Sequence, residues 1–357
     1  MEPGLTVLHG NNGAGKSNLL EAGYLLAIGK SYHATTEREL VAWPAAEAGG
    51  LCIIAGTVAL ADGEVDLRVG LDCAGRSNTA QKRVRINGVP RRASDMVGAL
   101  SAVLFTAEDI DLIFGSPHGR RRYLDIMLSQ LGDHYVQALQ RYQRVLTQRN
   151  ALLRSVRDGR ANDRELAFWD ESLCREGALV LGARFDAMQR LIPLVSDAFG
   201  RLEAVDQLEV SYLATVDFEE RPTAETLVAS LERNRVAERN AGMTLVGPHR
   251  DDLKIAMNRV EMSKHASRGQ ARLAALSLRV AEGTMIEERR GDPPVILFDD
   301  VLSELDDRRR MLVLEEASRH TQSIVTTTDV NLVPAAYLSD AHRMRIEDGQ
   351  IIAEADG

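Results

Sequence analysis

The stretch Gly10-Asn11-Asn12-Gly13-Ala14-Gly15-Lys16-Ser17 decides the fold. It matches G-x-x-x-x-G-K-[ST] in full. The strand-like run LTVL (residues 5–8) precedes it. Leu19, Leu20, Ala22, Gly23 and Leu26 give the segment that follows, residues 17–28, a helical inward face. Strand, glycine-rich turn and helix are the context in which such a loop binds phosphate. The glycines let the backbone of residues 10–15 wrap so that its N–H groups point at phosphate oxygens. The helix that begins at Ser17 adds the positive end of its dipole. Lys16 reaches the terminal phosphates as a point charge, and Ser17 supplies a hydroxyl oxygen to Mg²⁺. The expected ligand is therefore a magnesium-bound nucleoside triphosphate.

Such a loop needs an apolar strand ending in a carboxylate. Val295-Ile296-Leu297-Phe298-Asp299-Asp300 supplies one. Four consecutive apolar residues fit a central strand buried on both faces. Two carboxylates at its C-terminal end fall where open α/β sheets bind ligands. Asp299 is expected to hold Mg²⁺, and Asp300 to orient or deprotonate an attacking water.

The remaining pattern extends this core. Residues 51–60 and 64–71 read as a hairpin turning at Ala61-Asp62-Gly63, and residues 83–86 lead into a turn at Asn87-Gly88. Residues 120–201 are helical in pattern. Tyr123, Ile126, Met127 and Leu131, then Leu139, Tyr142, Leu146 and Leu153, recur at three-four spacing. Strands follow at 207–216 and 243–246, with a helix at 223–239 between them. A helix over 269–290, the strand 295–298, a helix over 306–319 and the strand 323–327 complete the alternation. That alternation implies an α/β sheet. The expected division is an N-terminal lobe, residues 1–118, a helical arm, 119–205, and a C-terminal lobe, 206–357.

Composition bounds the function classes. The chain has 357 residues, 45% hydrophobic and 27% charged, enough for a real core in two or three domains. No uncharged apolar run reaches 18 residues, so no membrane span is expected. Nor do the first nine residues carry the pattern of a signal peptide. Cys52, Cys73 and Cys174 are distant and odd in number, which fits a reducing, cytoplasmic setting and no cysteine-based zinc site. The net charge of −9 argues against nucleic acid until its distribution is read. From Glu282 to the end 17 acids face eight arginines, so the preceding 281 residues are neutral. Within them, residues 76–92 hold six Lys or Arg and no acid, and residues 112–160 hold nine Arg against three Asp. Solvated faces explain such stretches equally well.

Between the two phosphate motifs stands Ala266-Ser267-Arg268-Gly269-Gln270, with Ser267 32 residues before Asp299. Ser267 three residues ahead of Gln270 is a capping-box arrangement, which needs no ligand. Its place is also that of the signature loop of ABC-type ATPases. There a helix N-terminus with its serine meets the γ-phosphate held by a second subunit. Ser303-Glu304-Leu305-Asp306 is similar to the D-loop of those ATPases.

The chain resembles the RecF family of bacterial DNA replication and repair proteins, related to the SMC-type ATPases. The matching segments are HGNNGAGKSNLLEAGYLLAIGKSYH (9–33), LFTAEDIDLIFGSPHGRRRYLD (104–125), RYQRVLTQRNALL (141–153), TLVGPHRDDL (244–253), SRGQARLAALSLRVAE (267–282) and ILFDDVLSELD (296–306). The resemblance implies an ABC-type ATPase head, a P-loop sheet with flanking helices and a β-rich subdomain, carrying an inserted all-α arm. It implies an ATP-dependent homodimer in which Lys16 of one chain and Ser267, Gly269 and Gln270 of the other complete each site. It also implies weak, DNA-stimulated ATP hydrolysis, binding to single-stranded DNA and single-strand/double-strand junctions, and work with RecO and RecR. Under it, Lys82, Arg83, Arg85, Arg120, Arg121 and Arg122 become candidate contacts to the DNA backbone, sequence-independent and salt-sensitive.

The departures carry expectations of their own. Nine residues precede Gly10, fewer than the family carries, which predicts a shortened sheet edge on the nucleotide side. Arg268 stands where transporters of this class have glycine. Asp300 stands where they have glutamate, and its shorter reach implies slow hydrolysis. The switch histidine is replaced by Thr326-Thr327-Thr328-Asp329, so Thr327 or Thr328 is expected to face the γ-phosphate. Two other readings of the phosphate loop are a small-molecule kinase and a transporter ATPase. A kinase needs a second pocket with a catalytic carboxylate. His33, His118, His134 and His249 share no metal spacing that would build another site.

Overall fold

The computed structural model describes residues 1–61, 63–74, 80–203 and 205–353. Asp62, in the expected hairpin turn, and Arg76, at the head of the first basic stretch, lie outside the described residues. The strands are β1 Gly4–His9, β2 Leu51–Leu60, β3 Gly63–Asp72, β4 Gln81–Ile86, β5 Val89–Arg91, β6 Ala102–Thr106, β7 Leu208–Leu213, β8 Asp252–Met257, β9 Val260–Glu261, β10 Val295–Asp299, β11 Gln322–Thr327, β12 His342–Glu347 and β13 Gln350–Ala353. The long helices are α1 Lys16–Ile28, α2 Pro117–Leu131, α3 Asp133–Arg157, α4 Leu166–Leu202, α5 Ala224–Ala241, α6 Arg268–Arg290 and α7 Asp307–Arg319.

The chain divides into two compact units, residues 1–109 with 275–357 and residues 110–274. The first holds a six-stranded sheet in the order β13-β12-β1-β11-β10-β6. All its neighbours pair in parallel except β13, which closes the edge antiparallel to β12. Val7 lies opposite Val325, Phe298 opposite Val325, and Asp299 opposite Thr106. The parallel register therefore brings the C-terminal ends of β1, β11, β10 and β6 to one edge, where ligands of open α/β sheets bind. Val7, Leu8, Phe298 and Val325 are fully buried, and Phe105 stacks on Phe298 with ring centroids 4.4 Å apart. Each such side chain stabilises the sheet by about 1.5–3 kcal/mol.

A four-stranded antiparallel sheet, β2-β3-β4-β5, is the second layer of this unit. Its β2–β3 hairpin keeps register from Leu51 opposite Asp72 to Leu60 opposite Gly63. The β4–β5 turn uses Asn87 (φ 49°) and Gly88 (φ 75°), the left-handed pair that a two-residue hairpin requires. Leu67, Val69, Leu71 and Val84 pack inward with Leu25 and Leu26 of α1.

The second unit contains α2 to α5, the start of α6 and a three-stranded sheet, β7-β8-β9. Residues 206–274, assigned by pattern to a C-terminal lobe, fall in this unit with 119–205. Buried arginines explain the grouping. Arg149 of α3 donates to Asp170 of α4 and Glu238 of α5, each at 2.7 Å, and to Thr244 at 2.8 Å. Arg184 of α4 donates to Asp125 of α2 at 2.6 Å and to the Pro248 carbonyl at 2.7 Å. Residues 243–246 do not form the expected strand. Their amides are taken by side chains, Thr244 by Asn150 and Leu245 by Glu238, each at 2.8 Å, which leaves no ladder to join. The strand that pairs with β7 is β8.

Candidate nucleotide site

The loop between β1 and α1 is shaped by Gly13 (φ 80°) and Gly15 (φ 106°), both left-handed. Gly15 caps α1, and no side chain caps its free amides. The first turn of α1 therefore presents backbone N–H groups with positive dipole to an incoming anion. Gly10 is required for space, because a Cβ there would meet the Ile346 carbonyl oxygen at 2.3 Å. The loop is tied to the β12–β13 turn by the Gly349 amide, which donates to Ala14 O at 2.9 Å. Lys16 is buried, and its Nζ lies over the loop, donating to Gly10 O at 2.8 Å and Asn11 O at 3.0 Å.

Ser17 Oγ donates to Asp299 Oδ1 at 2.9 Å, across 282 residues of sequence. Asp299 is buried at the end of β10. A carboxylate and a hydroxyl oxygen side by side are the donors a hard cation such as Mg²⁺ takes from protein, the phosphates and water filling the remaining positions. No cluster of three His, Cys, Asp or Glu able to hold a metal occurs among the described residues. The donor set thus fits magnesium held with a phosphate ligand and not an all-protein metal cage. Asp300 sits at φ 49°, its amide donating to Thr326 Oγ1 at 2.9 Å. Its Oδ1 is buried without a hydrogen-bond partner. Burial raises the Asp300 carboxyl above its ordinary pKa, while Lys16 pulls it down. A carboxylate with an unused lone pair and raised proton affinity is suited to accept a proton.

Three residues of this site carried no role in the sequence reading. Tyr32 donates to Asp299 Oδ2 at 2.8 Å, and His33 Nε2 lies 3.9 Å from the same oxygen. Thr326 Oγ1 donates to Asp299 Oδ1 at 3.0 Å. The threonine run was expected to act through Thr327 or Thr328. Thr327 is buried, and its hydroxyl is engaged with Asp329, donating to its carbonyl at 3.0 Å and accepting its amide at 3.2 Å. Thr326 instead reaches the end of the neighbouring β10. The signal was the parallel register, which sequence alone does not print.

Ser267, Gly269 and Gln270 open α6 in the second unit. Gln270 N donates to Ser267 Oγ at 3.2 Å, and Ser267 N to Gln270 Oε1 at 2.9 Å, the reciprocal capping box. The basic candidates divide. Arg120 is buried, its guanidinium donating to both Asp252 oxygens, at 2.7 and 2.9 Å, and to Gly115 O at 2.8 Å. Arg121 donates to the Asp251 carbonyl at 2.7 Å. Arg122 is partnered as well. Lys82 is half-buried, donating to the Gly29 carbonyl and lying 3.7 Å from Glu37. Arg120 and Lys82 are thus engaged within the fold, while Arg122 stands exposed. Arg83 and Arg85 do stand exposed on one face of β4, and Arg85 lies directly opposite the exposed Arg68 of β3. Arg68 was missed because it sits in an alternating strand with acids beside it.

The sheet, the loop and the carboxylate pair define a P-loop ATPase head. Comparison with known proteins narrows the class. Residues 1–352 match the family described as RecF/RecN/SMC N terminal domain. The DNA replication and repair protein RecF of Chloroflexus aggregans is 41% identical, covering 99% of this chain and 95% of that protein. The RecF of Herpetosiphon aurantiacus is 40% identical, with 98% and 94% covered. A solved structure of the recombination mediator protein RecF with ATPrS superimposes with a TM-score of 0.89 at 30% identity, covering 99% of this chain and 93% of that one. The Smc head domain of Pyrococcus furiosus, at 16% identity and a TM-score of 0.52, shares the fold. The chain belongs to the RecF family of DNA replication and repair proteins. No helix among the described residues is long and apolar enough to cross a membrane.

Proposed function

We propose that this chain is an ATP-driven DNA clamp of recombinational repair and replication restart. The observation that carries the reading is the convergence of the Lys16–Ser17 loop on Asp299, at 2.9 Å. Lys16 and the amides of residues 10–17 hold the phosphates, and Ser17 and Asp299 hold Mg²⁺, which when bound neutralises phosphate charge. Asp300 orients the attacking water and takes its proton. Ser267 at the head of α6 completes the site of a second copy, so nucleotide binding drives homodimer formation and slow hydrolysis reverses it. The relative solved with ATPrS is a recombination mediator protein of the RecFOR pathway, which supports RecO and RecR as partners.

For DNA, the support is the exposed face of β3 and β4. Arg68 and Arg85 oppose each other there, and like charges in register repel unless an anion lies over them; Arg83 alongside pairs with Asp72 at 3.5 Å. Such a face binds backbone phosphate without reading sequence, as gaps and junctions require. The test is sedimentation with ATP, Mg²⁺ and gapped duplex. The parental chain is expected to dimerise only with nucleotide. Lys16→Ala, which lacks the cation of the cradle, is expected to stay monomeric, and an unaltered ATP-dependent dimer would sink the reading. Concentration-dependent, DNA-stimulated ATPase separates it from a small-molecule kinase, whose rate per chain is independent of DNA and of association.

A further inference from the structure

The turn after α1 is built to aim one hydroxyl. Ser31 Oγ donates to Glu21 of α1 and accepts the amides of His33 at 2.9 Å and Ala34 at 2.6 Å, which pins the turn against the helix. The ring of Tyr32 stands edge-on to buried Tyr24, centroids 5.5 Å apart and planes at 88°. His33 packs on it at 4.3 Å. Held in this way, the phenol donates to Asp299 Oδ2 at 2.8 Å and lies 3.4 Å from the Ser17 carbonyl.

Asp299 thus receives three hydroxyl donors with separate tasks. Ser17 and Thr326 share Oδ1, and Thr326 also accepts the Asp300 amide. Tyr32 takes Oδ2, where His33 at 3.9 Å is beyond hydrogen-bond reach. A phenol is protonated at neutral pH, so the hydroxyl acts as a fixed donor and not as a base. Without that donor a carboxylate turns in a broad well about its last torsion.

We infer that Tyr32 is a positioning residue of the divalent-cation site: its hydroxyl clamps Oδ2 of Asp299, so that Oδ1 and the Ser17 oxygen converge on one cation. The inference rests on the reading of Lys16, Ser17 and Asp299 as a magnesium–nucleotide site. Hydrogen-bond partners of metal-bound carboxylates set metal affinity by roughly 10- to 100-fold.

Tyr32→Phe keeps the ring and removes the hydroxyl. The probe is a fluorescent ATP analogue bound first in EDTA, then titrated with Mg²⁺. The Mg²⁺ midpoint of the variant is expected to rise about tenfold or more, while binding in EDTA stays at the parental value and the melting temperature of the nucleotide-free protein falls modestly, as loss of one hydrogen bond to a buried carboxylate requires. Tyr24→Leu keeps every donor to Asp299 but loosens the ring that aims Tyr32, and its midpoint is expected to rise as well. An unchanged or lower midpoint in Tyr32→Phe overturns the inference, as does an unchanged midpoint in a folded Tyr24→Leu should the Phe variant not fold. Failure of the underlying reading looks different: the parental chain itself then shows no Mg²⁺-dependent nucleotide binding.

Discussion

The Tyr142 hydroxyl lies 2.6 Å from His249 Nδ1, and His249 Nε2 lies 3.2 Å from the Thr244 carbonyl oxygen. A carbonyl only accepts, so Nε2 carries the ring proton and Nδ1 accepts from the phenol. The neutral imidazole is thereby fully partnered. Burial, with Arg250, Arg121 and Arg149 nearby, lowers the His249 pKa to about 4. The unfolded chain binds this proton near pH 6.5, the folded one near 4. Stability is therefore complete above about pH 6.5 and falls as pH drops toward 4, by up to about 3 kcal/mol. Melting temperatures measured from pH 8 to 4 check this. His249→Gln, which cannot titrate, is expected to give a flatter profile, and parallel profiles would remove His249 as the cause.

Gly10 and Gly13 belong to one motif but are needed for different reasons. A Cβ at Gly10 meets the Ile346 carbonyl oxygen at 2.3 Å, a backbone atom of β12 that cannot step aside. At Gly13 nothing lies within 4 Å, and the cost is the left-handed φ of 80° alone. Gly10→Ala is expected to lower stability by about 1–3 kcal/mol, as overpacking does. It also shifts β1 against β12 and weakens nucleotide binding. Gly13→Ala costs about 1–2 kcal/mol. Thermal melts rank the two, and the reverse order would contradict the packing argument.

The basic residues give a third test, because two of them look alike in sequence and differ in the fold. Arg85→Ala and Arg68→Ala are expected to leave the melting temperature unchanged or slightly raised. Each is expected to reduce the slope of log affinity for DNA against log salt by about one. Arg120→Ala strands Asp252 and the Gly115 carbonyl, and costs about 1–3 kcal/mol, the range for leaving a partly buried polar group unpaired. Titration of gapped DNA at several salt concentrations, beside thermal melts, decides between the roles. Equal salt slopes for parental chain and Arg85→Ala would remove β4 from the DNA face.

These residues also mark what the sequence discloses. Loop, strand β10 and hairpin β2–β3 were legible because their signals are local: a spaced motif, an apolar run ending in acids, alternation broken by a turn. The pairing of Ser17 with Asp299 was legible only through the motif. Three consecutive arginines at 120–122 read as a surface run, since the partner that buries Arg120 lies 132 residues away. Tyr32 and Thr326 stood in quoted stretches without a role, for theirs depends on which hydroxyl the turn or the parallel register sets against one carboxylate. Residues 243–246 had strand-forming side chains, but side chains of Asn150 and Glu238 bind their amides first.

Asp300→Asn is expected to separate binding from turnover. The amide keeps the shape at φ 49° but cannot accept the proton of water. Nucleotide is expected to bind and the dimer to persist, with hydrolysis falling by about 10²–10⁴-fold, the usual share of a positioned base. Single-turnover ATPase beside sedimentation measures both. A dimer that turns over ATP at the parental rate would exclude Asp300 from the role.

Ser267 decides whether the site is shared between chains. Its hydroxyl caps its own helix through Gln270, and loss of a cap costs about 0.5–2 kcal/mol. If that is its whole role, Ser267→Arg lowers the melting temperature and has no selective effect on association. If the head of α6 meets the nucleotide of a second copy, the same variant blocks dimerisation and leaves monomeric ATP binding near the parental value. Mixing Ser267→Arg chains with Lys16→Met chains sharpens the test. In a shared arrangement one site of each mixed dimer draws Lys16→Met from one chain and Ser267→Arg from the other, and so holds both defects. The second site then draws Lys16 and Ser267 from the unaltered positions and holds neither. Partial recovery of ATPase on mixing is therefore expected. In an arrangement where each chain completes its own site, every site keeps one defect and mixing restores nothing. Heterodimers shown by differential labelling to form, yet without recovered ATPase, would count decisively against the shared site.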